Sequence, residues 1–207
     1  MSPHHTRPVA TVAASLALGL LLGACSTGER PATDRHAAAG AGASSTAATS
    51  VEHNDADVEF AQMMILHHQG ALDMAVLAEG RAQSEPVQDL AARIQFAQQP
   101  EIDLMTSWLR TWGEEPADGD DTMGGMDHSG AHTGMADDGQ MHRLQDAGAA
   151  FDRMFLEMMI VHHTGAIVMS EQYRDRGQNE DALALAEAII ADQTAEIAEM
   201  EDLLAGL

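Results

Sequence analysis

This sequence predicts an all-α fold, a four-helix bundle built from two copies of one helical hairpin, and three observations carry that reading. Apolar residues make up 45% of the chain but aromatic ones only 3%. The core is therefore built from Ala, Leu, Ile and Met, a set that suits helices better than sheets. The apolar positions recur at helical spacing. Residues 60–109 also slide onto 155–204 without a gap, at a constant offset of 95. One hairpin cannot bury its own apolar face, so the two copies are expected to share one core in a single domain, residues 55–205.

The N-terminus is read as a targeting segment. Arg7 precedes an apolar run, Val9 to Leu22, that is short for a membrane span. It ends in Leu22-Gly23-Ala24-Cys25, which resembles the lipobox of bacterial lipoproteins. That resemblance implies cleavage after residue 24, lipidation of Cys25 and an extracytoplasmic protein anchored to a membrane. A plain secretory signal is the alternative. Cys25 is the only cysteine, so an internal disulfide is excluded. Residues 25–54, rich in Ala, Gly, Ser and Thr, read as a flexible tether.

The first hairpin spans 55–113. Asp55 or Asp57 is expected to cap a helix running to about Gly80. Phe60, Met63, Met64, His67, Ala71, Met74 and Ala78 share one face of it. His67 then points at the bundle centre, and His68 points toward a neighbouring helix. Ser84-Glu85-Pro86 starts the second helix, which stops at Gly113. Pro100 predicts a kink or local widening in its interior. Residues 114–142 are too polar and Gly-rich to pack a core and read as the crossover. The second hairpin, 143–205, comprises a helix over about 143–175 ended by Gly177, then a helix over about 180–205 capped by Asn179.

The chain holds 33 acidic residues against 10 basic ones, for a net charge of −23. Nucleic acid is excluded as a partner by repulsion. Acidity of this degree aids solubility and draws cations to the surface.

The candidate chemistry lies in the repeat. Met63, Met64, His67, His68 and Met74 recur as Met158, Met159, His162, His163 and Met169. A Met four residues before a His brings thioether and imidazole within reach of one ion. Clustered thioether and imidazole form a soft-metal donor set, with Cu(I) favoured and silver or another soft ion as alternatives. Met as core filler and His as a hydrogen-bonded core residue is the competing reading. Gln98, Glu101 and Met105 recur as Gln193, Glu196 and Met200 on the partner helices. A carboxylate on an apolar face needs a partner. For Glu101 and Glu196 that partner is an imidazole N–H, the metal itself, or Arg81 and Arg176; the imidazole is favoured. In the crossover, Met123, Met126, His128, His132, Met135, Met141 and His142 form a separate, adaptable set of metal ligands.

The pattern Phe-x-x-Met-Met-Ile-x-His-His-x-Gly-Ala-x-x-Met, followed by Gln-x-x-Glu-Ile-x-x-Met, resembles the domain of unknown function 305 family over nearly all of residues 55–205. The resemblance implies a ferritin-like bundle and, for some members, secreted copper-binding proteins of copper resistance. The long Met/His-rich insert is the unusual feature here. No Glu-x-x-His motif occurs, which argues against a di-iron oxidase. The expectation is a lipid-anchored, non-enzymatic copper-binding protein that sequesters or delivers the ion, its copper-handling partner unidentified. A metal-dependent redox enzyme, for example one oxidising Cu(I), and a structural or partner-binding bundle are the alternatives.

Overall fold

A computed structural model describes residues 51–117 and 134–207. Cys25, the tether up to residue 50, and Met123, Met126, His128 and His132 of the crossover lie outside the described residues. The order of elements is α1 (Asp55–Arg81), α2 (Glu85–Trp112), α3 (Asp138–Gln145), a 3-10 turn (Gly148–Ala150), α4 (Phe151–Arg174) and α5 (Glu180–Gly206). The fold is all-α. Among the described residues, no helix is long and apolar enough to cross a membrane.

Each long hairpin packs on itself, α1 on α2 and α4 on α5, and the hairpins meet through α1 and α4. The short α3 lies on α4. Helices α1 and α4 run antiparallel. The first half of α1 (Phe60, Met64) therefore shares an apolar cluster with the second half of α4 (Met169, Tyr173). The second half of α1 (Met74, Ala78) shares another with the first half of α4 (Phe151, Phe155). The two clusters are separated along the bundle by the paired histidines.

Three local expectations need correction. Asn54, not Asp55 or Asp57, caps α1: its Oδ1 accepts from the N–H of Ala56 and of Asp57, at 2.9 and 3.1 Å. Asp57 answers from the third helical position by accepting the N–H of Asn54 at 2.7 Å, a reciprocal capping box. The expected helix over 143–175 is broken. Asp137 and Gln140 form a second capping box that starts α3 inside the crossover. Gly148, at φ +55°, turns the chain before α4 begins. Gly177 does not end α4, which stops at Arg174. Its lack of a side chain serves Tyr173 instead, since a Cβ there would lie 2.5 Å from the ring. Helix α2 runs continuously through Pro100, which sits on the exposed face.

The hairpins are also tied by two buried carboxylates at the repeat offset, Asp57 and Asp152. Asp152 on α4 accepts the N–H of Gln83 and of Ser84, each at 2.9 Å, at the α1–α2 turn. Asp57 on α1 accepts the N–H of Gln178 and of Asn179, at 3.0 and 3.1 Å, at the α4–α5 turn. Each carboxylate thus fixes the start of a helix in the opposite hairpin. The Tyr173 hydroxyl donates to Asp57 as well. The equivalent position on α1 is Ala78, so the other clamp has no phenol.

Burial by itself would raise the pKa of Asp57, but the hydrogen bonds from Tyr173, Asn54, Asn179 and Gln178 outweigh it and hold the carboxyl below its ordinary range. Tyr173 is pushed upward by burial and by the Asp57 carboxylate. A depressed carboxyl pKa stabilises the fold above the unfolded-state value, and that contribution is lost as pH falls through the folded-state value. Stability should therefore fall below about pH 4, and Asp57→Asn should flatten that acid limb in urea titrations. Asp57→Ala strands several buried donors and should cost on the order of 3 kcal/mol at neutral pH. Asp152→Ala, which strands fewer, should cost less.

Candidate metal centre

The spacing of His67 and His68 on α1, repeated by His162 and His163 on α4, sends successive imidazoles in different directions, as 100° per residue requires. His67 and His162 meet across the α1–α4 interface with ring centroids 3.8 Å apart and planes tilted by 45°. His68 and His163 turn outward to α2 and α5. There His68 Nε2 donates to Glu101 Oε2 and His163 Nε2 donates to Glu196 Oε2, each at 2.6 Å. All four imidazoles are buried. The two carboxylates sit at the rim, about one-fifth exposed. Arg81 and Arg176 are engaged elsewhere, on the Gln145 carbonyl and on Glu59.

These contacts decide which atoms are free for chemistry. In a neutral ring, donation from Nε2 to a carboxylate leaves the lone pair on Nδ1. The Nδ1 atoms of His68 and His163 are buried and have no hydrogen-bond partner among the described residues. The ring nitrogens of His162 have no partner at ordinary hydrogen-bond geometry, and the main chain of His67 lies close enough to favour the protonated ring. Burial first, and then the imidazoles of His67, His163 and His68, hold His162 well below the ordinary histidine pKa. It is therefore neutral at physiological pH, the form that ligates metal. Gly70 lets this ring reach across: a Cβ there would lie 3.3 Å from His162 Nε2.

Gln98 and Gln193 stand one turn before Glu101 and Glu196 on α2 and α5. Both are nearly fully buried, yet both amide atoms of Gln98 and the Oε1 of Gln193 lack partners among the described residues. Their identity in both copies, on an apolar face, was the signal available in the sequence. A buried polar group left unsatisfied costs about 1–3 kcal/mol, so these amides are a cost that core packing alone does not explain.

The methionines flank the histidine layer rather than fill it. Met63, Met64 and Met169 pack in the cluster on one side. Met74 and Met159 pack in the cluster on the other side, with Met158 partly buried at its edge. Met105 and Met200, outside the expected ligand set, are buried one on each side as well. Met135 and Met141 are half-buried and His142 is exposed. Among the described residues, no three His, Cys, Asp or Glu side chains converge as a preformed ion cage.

Comparison with known proteins bears on this arrangement. Residues 57–204 match the family described as domain of unknown function (DUF305). A DUF305 fragment from Deinococcus radiodurans superposes with a TM-score of 0.66 at 31% identity, over 74% of this chain and 98% of the other. A DUF305 protein from Streptomyces coelicolor, assigned as secreted, gives 0.66 at 32% identity, over 73% and 93%. CopM in its Cu(II)-bound form gives 0.62 at 31% identity, over 72% and 96%. CopM structures with Cu(I) and with silver are also similar. Among curated protein sequences there is no significant match. The match of residues 57–204, with the repeated His-His pairs buried at the centre of the bundle, establishes that this protein belongs to the DUF305 family.

Proposed function

We propose that the protein binds copper, as Cu(I) in preference to Cu(II), and sequesters or delivers it outside the cytoplasm as part of copper tolerance. The observation that carries this reading is the buried layer itself: two imidazoles in contact, flanked by two more that are each oriented by a carboxylate with Nδ1 left over. A purely structural core has little use for that arrangement, because leucine at the same positions would be cheaper in free energy. The similarity to CopM, solved with Cu(II), Cu(I) and silver, supports the choice of ion. The methionines on either side of the layer favour the softer, reduced ion.

In this reading residues 1–24 are the signal and Cys25 carries the lipid anchor. Residues 25–54 form the tether, and 55–205 are one domain whose crossover, 114–142, gathers ions at the surface. The similarity to an S. coelicolor protein assigned as secreted supports an extracytoplasmic location. Glu101 and Glu196 act on the ion through His68 and His163, by holding ring orientation and tautomer.

The layer gives the reading a test with opposite signs. The double variant His67→Leu/His162→Leu should unfold at a higher temperature than the parent, by the equivalent of about 1–3 kcal/mol. It should also lose its tightest Cu(I) site in a titration against a chromophoric chelator. A destabilised variant with unchanged Cu(I) affinity would sink the proposal and favour a structural bundle. Glu101→Gln with Glu196→Gln should keep the helical circular dichroism and weaken Cu(I) binding about 10–100-fold. Removal of residues 118–133 should lower the number of ions bound and leave helical content unchanged.

A further inference from the structure

The repeat is asymmetric at one of its thioethers. Met63 on α1 is closed inside an apolar cluster at 6% exposure. Its counterpart Met158 on α4 is partly buried and lines an open cavity of about 220 Å³. Met135, from the end of the crossover, lines the same cavity, and Gln140 and Glu157 supply its polar lining. The crossover does not reach this point by chance packing. Gly134, at φ +87°, lies so close to α4 that a Cβ would sit 2.6 Å from the Val161 carbonyl oxygen and 3.1 Å from the Cα of Gly165. Only glycine permits that conformation and that approach together. The next residue is Met135, so the glycine contact delivers its side chain to the cavity that Met158 lines.

We propose that Met135 and Met158 form a second soft-ion site at the bundle surface, which takes one Cu(I) or Ag(I) ion and stands apart from the histidine layer. Two thioethers in a shared cavity are soft donors for a monovalent d10 ion. Glu157 also lines the cavity but is loosely paired with Arg153 at 3.8 Å, so the two sulfurs and not its charge define the site. Met158 precedes His162 by one helical turn, so the site is adjacent along α4 to the buried layer. It is an outer station at which an ion gathered by the crossover is held next to the bundle core. The assignment rests on the reading that the protein takes soft ions, and it adds a location and two named sulfur donors.

The test is an Ag(I) titration of the full chain carrying Cys25→Ser, which removes the competing thiol, with methionine methyl groups labelled for NMR. The Met135 and Met158 methyl signals should shift together in one stoichiometric step. Met135→Leu and Met158→Leu should each remove the same ion, and the double variant should remove no more than either single one. Gly134→Ala alters no donor, yet should weaken this step about tenfold by displacing the crossover, on the scale seen when a ligand's supporting contact is lost. Shifts at different steps, losses that add to two ions, or an unaffected Gly134→Ala variant would overturn the shared site. His67→Leu/His162→Leu run in parallel separates the two ideas. If only the histidine variant leaves silver binding unchanged, the buried-layer reading fails and the outer site stands. If no methionine methyl shifts at all, the outer site fails whatever the histidines do.

Discussion

Two imidazole rings with centroids 3.8 Å apart occupy the middle of this bundle, and the surrounding sequence is arranged to make that contact tolerable. Gly70 clears space for the ring of His162. Glu101 and Glu196 take up the Nε2–H of the flanking histidines, which would otherwise add two more stranded donors to the interior. The apolar residues divide into two clusters, one on each side of the layer. Stability is supplied by those clusters, and the layer between them draws on it. Unsatisfied polarity in one layer is held in place by packing elsewhere.

The antiparallel meeting of α1 and α4 needs its own support, because a polar layer weakens the interface it lies in. The carboxylate clamps provide it. Asp57 and Asp152 reach from each central helix into the turn of the opposite hairpin and satisfy main-chain N–H groups at the start of α5 and α2. Four hydrogen bonds to carboxylate acceptors lock the axial register of the hairpins. Register matters here more than overall stability. A slip of one residue along α4 would rotate His162 by 100° and remove it from His67.

Much of this was legible in the chain. The repeat offset, the helical period and the paired methionines and histidines indicate the element types and the central position of His67 and His162. The identity of Gln98 with Gln193 and of Glu101 with Glu196 pointed to polar groups that packing alone would not keep. Boundaries were less legible. The capping box at Asp137 and Gln140 lies in a segment whose composition reads as linker, and Asn54 competes with two aspartates for the same cap. Asp57 and Asp152 stand at the repeat offset, but their sequence context does not mark them as a pair. A buried aspartate near a helix start looks like a cap until the partner turn is seen.

Sequence by itself determined what is periodic and local: which residues are helical, which faces are apolar, and which polar residues share a face with methionine. Those follow from backbone geometry repeated every 3.6 residues, which any helix imposes. Only the tertiary structure decided which imidazole nitrogen is left without a partner, which carboxylate holds which ring, and that Met135 and Met158 line one cavity while Met63 is sealed in the core. These depend on the axial register between hairpins and on a single glycine contact across the crossover. Such relations are set by side-chain shape and hydrogen bonding over long sequence separations, and helical periodicity does not encode them.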